Sequence, residues 1–183
     1  HMQRAEEDDT VFDKLPGVEK GNYYYALGSL AKHKNYRWVR EVAARNPDKT
    51  FVVAGGKDLA AFGDDADAVS GGNLHYPGYV KDGENKALMR HCKGFLHPAV
   101  FEGFGIPPLE ALSLGAPVAV ATASCLPELY GDTVRYFDPY DYEVDLDALF
   151  ARPVAPPDTV LKTYSWPATA AFWLEEIRRF AAE

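Results

Sequence analysis

Two carboxylates, Glu102 and Glu110, bracket the run Glu102-Gly103-Phe104-Gly105-Ile106-Pro107-Pro108-Leu109-Glu110. Gly103 and Gly105 let the backbone turn sharply and come close to a ligand with no Cβ between them. A helix is expected from Pro107 to Leu114, with Gly115 as its stop. Its amino end offers free N–H groups and the positive end of the helix dipole, which is the chemistry of an anion site. Two prolines are tolerated in a first turn but supply no donors, leaving Gly105, Ile106 and Leu109 as candidates. Carboxylates do not themselves bind phosphate. Here they make sense as acceptors for hydroxyls on either side of it. Simpler roles remain open: Glu110 could only favour the dipole, worth roughly 0.3–1 kcal/mol, and the glycines could form an ordinary strand-to-helix turn.

The surrounding pattern alternates strands and helices. Strands are expected at Tyr23–Leu27 (closed by Gly28), Thr50–Ala54, Leu74–Val80 (interrupted at Pro77-Gly78), Gly94–His97, Val118–Ala121 and Val134–Phe137. Helices are expected from Asn35, as cap, to Arg45, over Glu84–His91, as a turn at Pro127–Tyr130, and over Asp145–Phe150. A final amphipathic helix, Pro167–Ala182, is capped by Ser165 and carries apolar Trp166, Ala170, Trp173, Ile177 and Phe180. Residues 60–73 and 151–158 read as loops. Six strands alternating with helices predict an α/β, Rossmann-like, doubly wound parallel sheet, with ligands beyond the carboxyl ends of its strands. Residues 1–20 are expected to be a tag remnant (His1-Met2), a polar mobile segment and a linker, and residues 21–183 the ligand-binding domain.

The composition narrows the partners. The chain has 183 residues and a net charge of −8, with no Lys/Arg cluster, which argues against nucleic acid. No apolar run reaches the ~20 residues of a membrane span. Cys92 and Cys125 show neither metal spacing nor a disulfide framework and fit a reducing cytosol. Asp65-Ala66-Asp67 and Asp145-Leu146-Asp147 share the Asp-x-Asp spacing of some metal sites, but its recurrence makes it cheap. His75, His91 and His97 lack paired zinc spacing, and His97 reads as structural. No metal or other cofactor is expected.

The stretch from His97 to Val118 closely resembles the Glu-x7-Glu signature of glycosyltransferase family 4, the retaining group 1 transferases of GT-B fold. Ala123–Leu129, Phe137–Asp141, Gly28-Ser29-Leu30 with Lys34-Asn35, and Tyr164-Ser165-Trp166 resemble further segments of that family, so the likeness runs from about Tyr24 to Glu176. It implies the C-terminal, donor-binding half of such an enzyme, with the N-terminal acceptor domain absent from this chain. By position, Glu102 would bond hydroxyls of the transferred sugar, with Gly103, Phe104 and Gly105 lining that sugar. Ile106 and Leu109 would hold the diphosphate, Glu110 the ribose and Val80 the base. Lys34 would neutralise the phosphates as the leaving group departs, making Glu102 and Lys34 the implied catalytic pair. His33 and Ser29 stand where relatives often carry arginine, so a second phosphate cation falls to Lys32 or to none.

The implied donor is a UDP-sugar or GDP-sugar and the acceptor a lipid-linked or saccharide chain. The implied setting is cytoplasmic, with peripheral association of the full-length enzyme at the inner membrane face. This half alone is expected to bind donor weakly and transfer nothing. A dinucleotide oxidoreductase requires Gly-x-Gly-x-x-Gly after the first strand, whereas Pro108 takes the third glycine's place after the fourth. A stand-alone sugar-nucleotide-binding module would show the same ligand contacts without catalysis.

Overall fold

Aromatic residues open the first strand, and burial is what they are for. The computed structural model describes residues 5–29, 31–56 and 72–181. Strand β1 (Tyr23–Leu27) lies central in a sheet with β2 (Thr50–Ala54), β3 (Leu74–Gly78), β4 (Gly94–His97), β5 (Val118–Ala121) and β6 (Arg135–Phe137). The order is β3-β2-β1-β4-β5-β6 and every pairing is parallel. This is the doubly wound arrangement expected. Chain direction across the sheet reverses between β1 and β4, leaving a crevice at their carboxyl ends.

Tyr23, Tyr24 and Tyr25 are each at most 2% exposed. A buried hydroxyl needs a partner, and these have them: Tyr23 donates to the Leu88 carbonyl and Tyr25 to Asn85 Oδ1, both at 2.8 Å. Both partners lie on α2 (Asp82–Arg90), so the aromatic strand fixes that helix as well as the core. On the other face, Trp38 of α1 (Tyr36–Arg45) stacks on Phe137 with centroids 4.1 Å apart, and its indole N–H donates to the Asp141 carbonyl. Helices α3 (Ile106–Ser113), α4 (Leu126–Tyr130), α5 (Leu146–Ala151), α6 (Asp158–Thr163) and α7 (Trp166–Ala181) follow among the described residues.

Several expectations are corrected. Residues of the amino-terminal segment, expected to be polar and mobile, pack against α2. A 3-10 helix spans Asp9–Lys14, Asp8 caps it at the Thr10 N–H, and Val11 is fully buried. The Asp8 N–H bonds the Gly83 carbonyl and Lys86 Nζ the Ala5 carbonyl. The dense charge of this stretch hides the apolar set Val11, Leu15 and Val18, all buried. Asn35 does not cap α1 with its side chain. Residues 159–163, unassigned in the sequence, form α6 together with Asp158, which was read as loop. The two Asp-x-Asp strings separate: Asp65-Ala66-Asp67 and most of the 60–73 loop lie outside the described residues. In the second, Asp145 caps α5 at the Ala148 N–H and Asp147 pairs with Lys49 and Lys93.

Ser165 caps α7 as expected, accepting from the Ala168 N–H at 3.3 Å. Helix α7 itself has no buried residue, and Trp166, Trp173, Ile177 and Phe180 are each at least 60% exposed. Its apolar side is therefore not part of this domain's core. Among the described residues no helix is long and apolar enough to cross a membrane.

Candidate functional site

Lys34 and Glu102 reach the crevice from adjacent strands. The chain leaves β1 through Gly28, where a Cβ would stand 2.5 Å from the Tyr36 hydroxyl, and then enters a 3-10 turn at Lys32–Lys34. Lys34 Nζ lies 2.5 Å from Glu102 Oε1, on the loop that follows β4. The same oxygen meets Nε2 of His97, the last residue of β4, at 2.9 Å. The three side chains are largely enclosed, at 18% (Lys34), 9% (Glu102) and 3% (His97) exposed.

Burial by itself pushes the Glu102 carboxyl upward. The hydrogen bonds and charges of His97 and Lys34 outweigh it and hold the pKa at about 2. Glu102 is thus a carboxylate at any neutral pH. His97, read from sequence as structural, does hold structure, but the structure it holds is this carboxylate.

The loops around the pair are stitched together. Asn35 adopts a left-handed conformation (φ 55°) that suits asparagine better than most residues. Its side-chain amide donates to the Pro98 carbonyl after β4 and to the Pro139 carbonyl after β6, at 3.1 and 3.0 Å. The Val100 N–H bonds the His33 carbonyl at 2.9 Å. Ser124, also left-handed at φ 54°, accepts from the Glu102 N–H and donates to the Glu102 carbonyl. Two non-glycine residues held at positive φ beside one carboxylate mark a place where local strain is tolerated for geometry.

The glycines divide by cause. Gly105 caps α3 with φ 82°, and a Cβ there would lie 2.8 Å from Leu126, so the fold itself requires it. The Tyr130 hydroxyl donates to the Gly105 carbonyl at 2.5 Å and locks the turn. A Cβ on Gly103 would meet nothing within 4 Å. The protein's own packing gives no reason for that glycine.

The remaining sequence candidates differ in their surroundings. Ile106 opens α3 and is 59% exposed, while the Leu109 N–H faces the buried Tyr130 hydroxyl. Phe104 packs edge-on against Tyr164 at the end of α6, with centroids 5.1 Å apart. Burial raises the pKa of Glu110, and Asp82, at the start of α2, adds to the effect. Val80 is buried, two residues before Asp82. Lys32 and Ser29 are exposed near Lys34. Sequence reasoning missed Asn35 as a tie, Ser124 as a clamp and Tyr36, whose buried hydroxyl feels the Glu102 charge. The first two sit inside recognisable strings; only the fold shows what they touch.

Other clusters lie elsewhere. Glu7, Asp9 and His91 bring potential metal-ligand atoms within 4.8 Å of one another. They are engaged by Arg90 and Lys20, and His91 precedes β4, at the amino end of the sheet opposite Glu102. Two surface hollows of about 330 and 380 Å³ contain Lys14 and His75 in one case, Arg45 and Asp145 in the other, and neither includes Lys34, Glu102 or Glu110.

Comparisons with known proteins bear on the fold and the family. The six-stranded Rossmann-like sheet matches the fold of GT-B glycosyltransferase structures. Residues 7–147 match the family described as glycosyl transferases group 1, and the chain belongs to that family. The O-antigen chain mannosyltransferase B of Escherichia coli is 40% identical over 72 residues, which are 39% of this chain and 19% of that protein. A sucrose-phosphate synthase from Thermosynechococcus elongatus superposes with a TM-score of 0.77 at 17% identity, over 100% of this chain and 51% of that one. The Anabaena protein HepE, in complex with UDP-glucose, gives a TM-score of 0.59 at 21% identity, over 78% of this chain and 42% of that one. The chain thus spans about a fifth of that mannosyltransferase and about half of that synthase.

Proposed function

We propose that this chain is the C-terminal, donor-binding half of a family 4 retaining glycosyltransferase, moving a hexose from a nucleoside diphosphate sugar to a lipid-linked or saccharide acceptor. The observation that carries the reading is the Lys34–Glu102 pair at the topological switch point, beside the exposed amino end of α3. A cation, a helix dipole and an ionised hydroxyl acceptor within one crevice suit a sugar attached to a diphosphate.

In this reading the helix N-terminus at Ile106, together with Lys34, stabilises negative charge on the departing diphosphate, while the Leu109 N–H, expected beside it, is turned to the Tyr130 hydroxyl. Glu102, ionised and fixed by His97, accepts hydroxyls of the sugar. Gly103 leaves room for the sugar where a Cβ would stand. Glu110 accepts the ribose hydroxyls, and the backbone at Val80 meets the base. The chemistry needs no metal, because dipole and lysine supply the positive charge. The acceptor comes from an N-terminal half outside this chain, and the bare apolar side of α7 is a surface for that half to cover. Alone, the chain binds donor and turns nothing over. A UDP-sugar or a GDP-sugar fits equally, and a cytoplasmic setting at a membrane face suits such acceptors. The mannosyltransferase relative and the UDP-glucose-bound neighbour support a nucleotide-linked hexose.

The test is thermal-shift screening of the chain against UDP, GDP, ADP and their hexose conjugates, with Glu110→Ala beside the wild type. A ligand at a hundred times its Kd stabilises the fold by about 2.7 kcal/mol, several degrees in a domain of this size. Stabilisation by one base series, weakened in Glu110→Ala even for the free nucleotide, supports the reading. Equal stabilisation of both proteins removes Glu110 from the ribose site, and no stabilisation by any nucleotide leaves the donor-site reading without support.

A further inference from the structure

The lysine assigned to the phosphates is not waiting for them. Lys34 Nζ is bonded to Glu102 Oε1 in a nearly enclosed pair, so its charge is already neutralised by the carboxylate assigned to the sugar. Its loop cannot move off independently, because Asn35 ties it to Pro98 and Pro139 and the His33 carbonyl is held by the Val100 N–H. Glu102 is equally fixed, by His97 at its side chain and by Ser124 at its backbone. A bare diphosphate approaching Lys34 therefore meets a neutralised cation with a carboxylate directly behind it. A ligand that also carries sugar hydroxyls can donate to Glu102 in place of the ammonium and free Lys34 for the phosphates.

We propose that the Lys34–Glu102 pair is an exchange latch that makes the site discriminate nucleoside diphosphate sugars from bare nucleoside diphosphates. Glu102 acts here as a specificity determinant against the bare nucleotide as well as a contact for the sugar. When transfer removes the sugar, the hydroxyl donors leave Glu102, Lys34 returns to it, and the nucleoside diphosphate product loses its cation. Sugar and phosphate subsites are thereby coupled through one ion pair. The inference rests on the donor-site reading above.

The experiment is titration calorimetry of the chain with UDP, GDP and ADP and the glucose and mannose conjugates of each, for wild type, Glu102→Gln, Lys34→Ala and the double variant. Wild type is expected to bind a conjugate more tightly than its bare diphosphate. Glu102→Gln is expected to bind the bare diphosphate roughly tenfold more tightly, the worth of one charge-assisted hydrogen bond returned to the phosphate. Its affinity for the conjugate gains less than that, and the double variant falls back to the level of Lys34→Ala. If Glu102→Gln does not fold, Glu102→Asp draws the carboxylate one methylene back from both Lys34 and His97, which share one oxygen, and so tightens the bare diphosphate in the same direction. Unchanged or weakened binding of the bare diphosphate by the folded Glu102 variant overturns the latch, as does a gain that survives loss of Lys34. Failure of every nucleotide to bind every variant overturns the donor-site reading and the latch together, an outcome distinct from the other two.

Discussion

Lys34 and Glu102 are 68 positions apart in the chain, yet their side chains meet with Nζ 2.5 Å from Oε1. The strands they follow, β1 and β4, are neighbours in the sheet. That adjacency places a cation and an anion at the one crevice where a doubly wound sheet binds its ligand. His97 completes the group from the end of β4 itself.

Glu102 makes stability depend on acid. Its carboxyl is held at about 2 against an ordinary 4.5. A depressed carboxyl adds stability that is fully present above the unfolded pKa and is lost as pH falls through the folded one. The wild type is therefore expected to lose on the order of 3 kcal/mol from this group between about pH 5 and pH 2. Urea unfolding of wild type and Glu102→Gln across that window checks it. The gap between the two proteins should narrow as pH falls.

Gly103 and Gly105 predict opposite phenotypes. Gly105→Ala forces a Cβ into a left-handed position against Leu126 and should destabilise the domain by roughly 1–3 kcal/mol. Gly103→Ala places its methyl in open space. It is expected to leave the melting temperature within a degree or two, while weakening binding of a nucleotide sugar more than binding of the free nucleotide. Thermal melts and calorimetry on both variants separate the cases.

Glu110 sets function against stability. Burial, with Asp82 adding to it, raises the pKa of this carboxyl. A raised acid contributes most below its unfolded pKa and is a cost once pH has risen through the folded one, so at neutral pH the ionised group works against the fold. Glu110→Gln is expected to raise the melting temperature at pH 7 and leave it nearly unchanged at pH 4, while lowering affinity for the free nucleotide.

Asn35 holds three loops at once, those after β1, β4 and β6. Asn35→Ala loses two hydrogen bonds and strains a residue at φ 55°. A loss of about 2–3 kcal/mol in denaturant unfolding is expected. Asn35→Gly, free of the strain, should lose less, and both should weaken nucleotide binding by loosening Lys34.

Much of this site was legible before any fold was known, and the parts that were not share a cause. Gly103, Gly105 and Glu110 announce a strand-to-helix turn because turn and helix-start rules are local. Asn35 was legible as a boundary residue but not as a tie, since its partners Pro98 and Pro139 are distant in the chain. His97 offered only a lone apolar-flanked histidine until the fold set Glu102 beside it. Helix α6, directly behind Pro156 and Pro157, has a single buried residue, Val160, too little for a period to show. The buried trio Val11, Leu15 and Val18 was masked by its charged neighbours. The stripe on α7 was legible as an amphipathic face, and the fold shows it uncovered.

The central claim is that a nucleoside diphosphate sugar binds at the carboxyl ends of β1 and β4. Its most direct test is amide chemical-shift mapping of the isotopically labelled chain during titration with UDP, GDP, ADP and their hexose conjugates. The account predicts saturable shifts for one base series at Gly28, Lys34, Gly103, Gly105, Ile106 and Glu110, with the opposite end of the sheet, at His91 and Asp147, left undisturbed. Shifts confined to that opposite end, or no saturable shift with any nucleotide, would contradict it.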